Sequence, residues 1–116
     1  MSYKKSEWIE VTVAISGTTS SEVNLGREYR DVQVYSPALD SATLTVKPSR
    51  VTGDTAVQAY LVSGSATGDY TNTTTAKTTA AMNVFLLIAA QFVTIVLSAA
   101  QTGGARTFYV RGLNPI

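Results

Sequence analysis

The chain has 116 residues, no cysteine and no histidine, and its nine basic and eight acidic residues leave a net charge of +1 at pH 7. Disulfides, thiolate chemistry, zinc ribbons and every catalytic pair built on imidazole are thereby excluded, and no global field is present to draw in nucleic acid or an anionic bilayer. With 45% hydrophobic and 15% charged residues, the composition is that of one globular domain, too apolar for a disordered chain.

Residues 1–8, MSYKKSEW, are polar and charged with no apolar segment behind them. They read as an N-terminal arm and not as a secretory signal, and residues 9–116 read as a single β-domain. From Trp8 to Ile15, Ile9, Val11, Val13 and Ile15 alternate with Glu10, Thr12 and Ala14, the period of a half-buried strand. Ser16–Ser20 is a turn, and Val23 and Leu25 mark a short strand closed by Gly26. Tyr29–Ser36 follows, with Val32 and Val34 on one face and Asp31, Gln33 and Tyr35 on the other; Ser36-Pro37 ends it. Ala42–Lys47 sets Leu44 and Val46 against Thr43 and Thr45, Pro48 stops that strand, and Gly53-Asp54 turns the chain.

Ala56–Ser63 is a further strand with two open registers, Val57, Ala59 and Leu61 inward or Gln58, Tyr60 and Val62 inward. The first is preferred because it hides no amide. Ser63–Ala80, rich in Gly, Ser and Thr, reads as a long loop with room for one weak strand. Ala80–Ala100 carries no charge and is long enough for a membrane helix. However, Asn83, Gln91, Thr94 and Ser98 interrupt it, and its apolar part divides into VFLLI and FVTIVL joined by AAQ. Two buried strands with a tight connection account for this better than a span, and better than a soluble helix over AAMNVFLLIAA. In the second, Val93, Ile95 and Leu97 face inward. Gly103-Gly104 belongs to a hairpin loop, with an anion-binding nest beside Arg106 as the alternative. Arg106–Gly112 closes the domain with Phe108 and Val110 inward and Thr107, Tyr109 and Arg111 outward. About eight strands at spacings of roughly 8–12 residues predict an all-β, antiparallel β-sandwich of jelly-roll-like kind.

No catalytic, cofactor or metal motif stands out: the carboxylates are scattered, no D-x-D-x-D-G loop occurs, and neither G-x-x-x-x-G-K nor G-x-G-x-x-G is present. The basic residues form no run beyond Lys4-Lys5. The sequon Asn72-Thr73-Thr74 lacks a secretory context. The aromatics are more informative. Trp8, Tyr29, Tyr35, Tyr60, Tyr70 and Tyr109 fall mostly on outward or loop positions. Outward aromatics lie over their own sheet, anchor a protein interface, where Tyr, Trp and Arg concentrate binding energy, or stack on sugars. The candidate interface residues are Tyr3, Trp8, Tyr35, Tyr60, Tyr70, Tyr109 and Arg111.

The run of segments SGTTSSEVNLG, SATLTVKPS, VFLLIAAQFVTIVLSAAQTGG and RTFYVRGL resembles small β-sandwich virion proteins of tailed bacteriophages. Those open on S-G-x-T-T/S-x-x-V-x-L-G and end in a hairpin whose last strand is R-T-hydrophobic. The resemblance runs from Trp8 to Leu113, and departs where Pro48-Ser49-Arg50-Val51 stands in place of an acid-rich loop. It implies a non-enzymatic structural protein on the capsid surface, a decoration or cement protein bound to the major capsid protein. Such proteins are often trimeric, and their termini or loops reach onto the capsid, here the Tyr3–Trp8 arm and the Ser63–Ala80 loop. A tail, neck or baseplate component, or a carbohydrate-binding module using Tyr60, Tyr70 or Tyr109, are the alternatives.

Overall fold

A computed structural model of the chain describes residues 3–58, 60–61, 70–71 and 73–115, the side chains of residues 60–61 and 70–71 excepted. The strands are β1 (Tyr3–Lys5), β2 (Ile9–Val13), β3 (Val23–Tyr29), β4 (Asp31–Ser36), β5 (Leu44–Ser49), β6 (Tyr60–Leu61), β7 (Tyr70–Thr71), β8 (Ala81–Phe85), β9 (Ala90–Leu97) and β10 (Arg106–Pro115). Among the described residues there is no helix, and so none long and apolar enough to cross a membrane.

Eight of the strands make two packed antiparallel sheets, the sandwich that the alternating aliphatics predict. The larger sheet runs β1-β10-β4-β8, with β2 also paired to β10, and the smaller runs β3-β9-β5. β10 is the long central strand: Lys5 pairs Leu113 and Val13 pairs Arg106 along one side, while Val34 pairs Val110 on the other. Inward Val11, Val13, Val32, Val34, Phe85, Phe108 and Val110 meet Val23, Leu25, Leu44, Val46, Val93, Ile95 and Leu97 in one buried cluster. Each large aliphatic fully buried there stabilises the fold by roughly 1.5–3 kcal/mol. With no disulfide to share the task, this core carries most of the stability.

Several local expectations change. Tyr3–Lys5, expected within an arm, forms β1 on the end of β10. Ile15 is exposed in a turn, since the strand ends at Val13 and Ser16 takes φ 66°. Gly26 does not close the third strand; its φ of 88° and a register shift between Asn24 and Tyr29 carry β3 through a bulge. Pro48 likewise lies inside β5, which tolerates it because β5 is an edge strand. Val57 is exposed rather than inward, and the strand expected over Ala56–Ser63 is reduced, within the described residues, to β6 paired with β7. Ala59 and residues 62–69, with most of the expected loop's first half, and Asn72 lie outside the described residues.

The largest revision concerns the two apolar runs. β8 and β9 are not a hairpin: β8 pairs β4 in the larger sheet and β9 pairs β3 and β5 in the smaller. The link through residues 86–89 crosses between sheets, with Leu87 at φ 58° and Ala89 at φ 52°. Asp31 fixes this corner. It is buried on β4, accepts the Leu87 N–H at 3.0 Å on Oδ1, and pairs through Oδ2 with Arg30 Nη2 at 2.9 Å. The hydrogen bond to Asp31 raises the Arg30 pKa further above its already high ordinary value. Val84, Leu86 and Leu87, expected inside, are about half exposed, while Phe85 and Ile88 are buried. The second run behaves as expected, with Val93, Ile95 and Leu97 in the core.

The link from β9 to β10 also crosses between sheets. Gln101 is wholly buried beneath it, its Oε1 accepting the Asp40 N–H at 2.6 Å and its Nε2 donating to Ala99 O at 3.1 Å. The alternative of an anion nest at Gly103-Gly104 meets an internal carboxylate: Asp40 Oδ2 accepts from Thr102 N at 3.2 Å and from Arg106 Nη2 at 3.3 Å.

Candidate docking face

The register of the larger sheet brings separate outward residues into rows. On its outer face Glu10, Tyr109, Tyr35 and Met82 line up across β2, β10, β4 and β8. The next row holds Arg111, Gln33 and Val84. Trp8 immediately precedes Ile9, which pairs Val110, so the same register continues to set Trp8 beside Arg111. A third row holds Lys5, Leu113 and Asp31. The alternation that sends Phe108, Val110, Val32 and Val34 into the core sends the first two rows out, while in the third Leu113 and Asp31 stand on the same side but are covered.

Two contacts fix the middle of this face. Arg111 lies over Trp8, its guanidinium carbon 4.2 Å from the ring centroid. Its Nε donates to Gln33 Oε1 at 2.8 Å. A cation over an indole face contributes about 0.5–1 kcal/mol at an exposed site, so Arg111 works as a clamp that holds Trp8 against the sheet. Beside it the Tyr35 and Tyr109 rings are 6.1 Å apart and tilted by 53°. Trp8, Tyr35, Tyr109 and Met82 line a shallow depression of about 550 Å³. A second, of about 510 Å³, lies beyond Arg111 and mixes Tyr3 and Leu86 with Lys5 and Gln33. Trp8, Tyr3 and Tyr109 are about two-fifths exposed, and Met82, Val84 and Leu86 about half.

Of the candidate interface residues, the fold therefore brings Tyr3, Trp8, Tyr35, Tyr109 and Arg111 onto one face. Tyr60 and Tyr70 belong to the separate β6–β7 pair, and their side chains lie outside the described residues. Tyr29, grouped with the outward aromatics in the sequence, is buried instead. It ends β3 against Gly112 of β10, where an added Cβ would meet its Cγ.

Sequence reasoning misses Met82, Val84 and Leu86, which complete the apolar part of the face. Apolar residues at both parities of VFLLI signal burial on both sides, but the second sheet covers only the inner face of the first and leaves the outer side of β8 open. Gln33, which orients Arg111, is equally silent in the sequence.

The face offers aromatic and thioether surface, one clamped guanidinium and one exposed ammonium, without a pair of facing carboxylates in either depression. Among the described residues no group of three or more Asp and Glu side chains is placed to hold a metal ion. An exposed apolar patch with a polar rim marks an interaction surface, and Trp, Tyr and Arg at its centre are the residue types in which binding energy concentrates. No protein-family model, no curated protein and no solved structure matches this chain.

Proposed function

We propose that the chain is a structural protein of a tailed-bacteriophage virion, without enzymatic activity, that decorates the capsid by docking onto the lattice of the major capsid protein. Its partners are that lattice and further copies of itself, and its place is the outer surface of the particle. The observation that carries this reading is the outer face of the five-stranded sheet, where Trp8, Tyr35, Tyr109 and the clamped Arg111 stand together with exposed Met82 and Val84. The segment pattern shared with small virion β-sandwich proteins supports it, and so does the near-neutral charge, which lets many copies crowd on one shell without mutual repulsion. Each copy would bury a modest patch, and avidity across capsomer seams would supply the reinforcement. Sugar stacking is the weaker reading: the tyrosines are tilted to one another and Arg111 covers one face of Trp8.

The test is sedimentation of particles assembled with and without the protein. It should pellet with the capsids in a copy number that scales with the lattice, and heated decorated shells should outlast bare ones. Six or twelve copies would move it to the tail or neck, and absence from the particle fraction would refute the reading.

A further inference from the structure

The depression beyond Arg111 gathers two cations that no described residue neutralises. Its walls include Lys5, from β1, and Arg111, from β10. Lys5 pairs Leu113, two residues on from Arg111, so the two cations occupy diagonal positions of one face, where residues are about 7–8 Å apart. Like charges at that distance repel unless an anion lies between them. The carboxylate in the lining, Asp31, is committed elsewhere: its Oδ1 accepts the Leu87 N–H and its Oδ2 pairs with Arg30. The ion pairs among the described residues are Arg30–Asp31, Arg50–Asp54 and Arg106–Asp40, so neither Lys5 nor Arg111 has one. Glu7, the carboxylate nearest Lys5 in sequence, is exposed and forms no ion pair with either. Glu10 stands diagonal to Arg111 in the Tyr109 row, but the guanidinium is turned over Trp8 instead.

A second observation concerns how Arg111 is held. The Trp8 ring supports its guanidinium carbon at 4.2 Å, and Gln33 Oε1 takes up its Nε at 2.8 Å. Neither contact uses the two terminal nitrogens, and among the described residues these have no hydrogen-bond partner; nor has the Gln33 amide nitrogen beside them. The terminal edge of a guanidinium is a fork that grips a carboxylate through two parallel N–H···O bonds. Because ring and amide already hold the side chain, the loss of side-chain freedom that weakens most surface ion pairs is reduced here.

We propose that this depression is a carboxylate site: it takes an Asp or Glu side chain of a partner protein between the Arg111 terminal nitrogens and Lys5 Nζ, while an apolar side chain of the same segment fills the neighbouring depression of Trp8, Tyr35, Tyr109 and Met82. The Arg111 row lies two residues along β10 from the Tyr109 row, and an extended segment spaces every second side chain by about 6.5–7 Å. The segment that fits is therefore extended along β10, with an apolar and an acidic residue separated by one other. Charge complementarity selects this occupant, since a basic or purely apolar segment brings no counter-charge to the two cations. The Glu10 carboxylate keeps the incoming anion on the Lys5 side of Arg111. The inference rests on the docking reading of this face and adds the chemistry of the partner segment.

Titration of the full chain with acetyl-Phe-Gly-Asp-amide, followed by nuclear magnetic resonance, tests the site. The probe should shift the Arg111 Nε–H, the Gln33 side-chain amide and the Trp8 indole N–H together, and should bind about fivefold or more tighter than acetyl-Phe-Gly-Asn-amide. Equal affinities, or shifts confined to other residues, would overturn the proposal. Lys5 is exposed and takes no part in the clamp, so Lys5→Glu should leave the thermal melt unchanged. It supplies a carboxylate beside Arg111 from within the chain and should abolish the preference for the Asp probe; a retained preference would overturn the site. Lys47→Gln, on β5 of the other sheet, should keep the preference, and an equal loss there would reduce the effect to overall charge and overturn the site. Co-sedimentation separates the two readings. If the parent pellets with capsids and Lys5→Glu pellets equally well, the carboxylate site falls and the docking reading stands. If the parent stays out of the pellet, the docking reading falls and the probe titration alone decides the site.

Discussion

Gly112→Ala tests whether the two sheets are locked together by close approach at the end of β10. A Cβ at residue 112 would stand 2.2 Å from Tyr29 Cγ, 2.3 Å from Cδ2 and 2.7 Å from Cβ, against an ordinary contact of 3.4 Å or more. The ring or the strand must therefore retreat by more than an ångström, and Tyr29 is only 7% exposed, with its Cβ, the root of the side chain, already too close. Gly112 is not among the glycines with positive φ, so the whole cost is steric. Overpacking of a filled core costs about 1–3 kcal/mol, and a clash with ring and Cβ together puts this case near the top of that range, about 3 kcal/mol. With an unfolding entropy of about 2.1 cal/mol/K per residue, a chain of 116 residues should lose about 12 °C in Tm. Gly26→Ala is the internal control: φ is 88° but nothing lies within 4 Å of the added Cβ, so only backbone strain of about 1–2 kcal/mol is incurred. Thermal melts followed by circular dichroism, with urea midpoints as a check, measure both. If Gly112→Ala melts within a few degrees of the parent, or above Gly26→Ala, the close approach is not what locks the sheets.

Asp31 and Gln101 should separate hydrogen bonding from charge. Asp31→Ala removes the acceptor of the Leu87 N–H and should cost about 1–3 kcal/mol, whereas Asp31→Asn keeps an amide oxygen there and should cost less, since the Arg30 end of the lost pair is half exposed and stays solvated. Equal urea midpoints for the two variants would contradict this. Gln101→Leu fills the same buried space but strands the Asp40 N–H, and should cost about 1–3 kcal/mol in chemical denaturation. On the docking face, Trp8→Ala should leave Tm within a few degrees, since the ring is outside the core, but abolish co-sedimentation with capsids; retained binding would remove Trp8 from the interface.

The local period of this sequence reports the sides of its strands faithfully. Val32 and Val34, Leu44 and Val46, Val93, Ile95 and Leu97, and Phe108 and Val110 face inward where two-residue alternation puts them, because pleating allows no other outcome once a strand forms. The outward placement of Tyr35, Tyr109 and Arg111 followed from the same rule. Strand ends were less legible: a bulge at Gly26 and an edge position for Pro48 depend on neighbours that a local pattern does not contain.

What the amino-acid order determined alone is therefore an all-β chain with one aliphatic core and a set of outward aromatics free of imidazole or thiol. Which of those aromatics meet was decided only by the pairing of β2, β10, β4 and β8, since residues as distant as Trp8 and Arg111 share a row through register and not through spacing. The exposure of Met82 and Val84 was decided in the same way. A two-layer sandwich covers only the inner side of each strand, as the exposure of Tyr109 on central β10 shows, so a strand apolar on both sides must leave one of them outside, and which side that is becomes a property of the assembled fold.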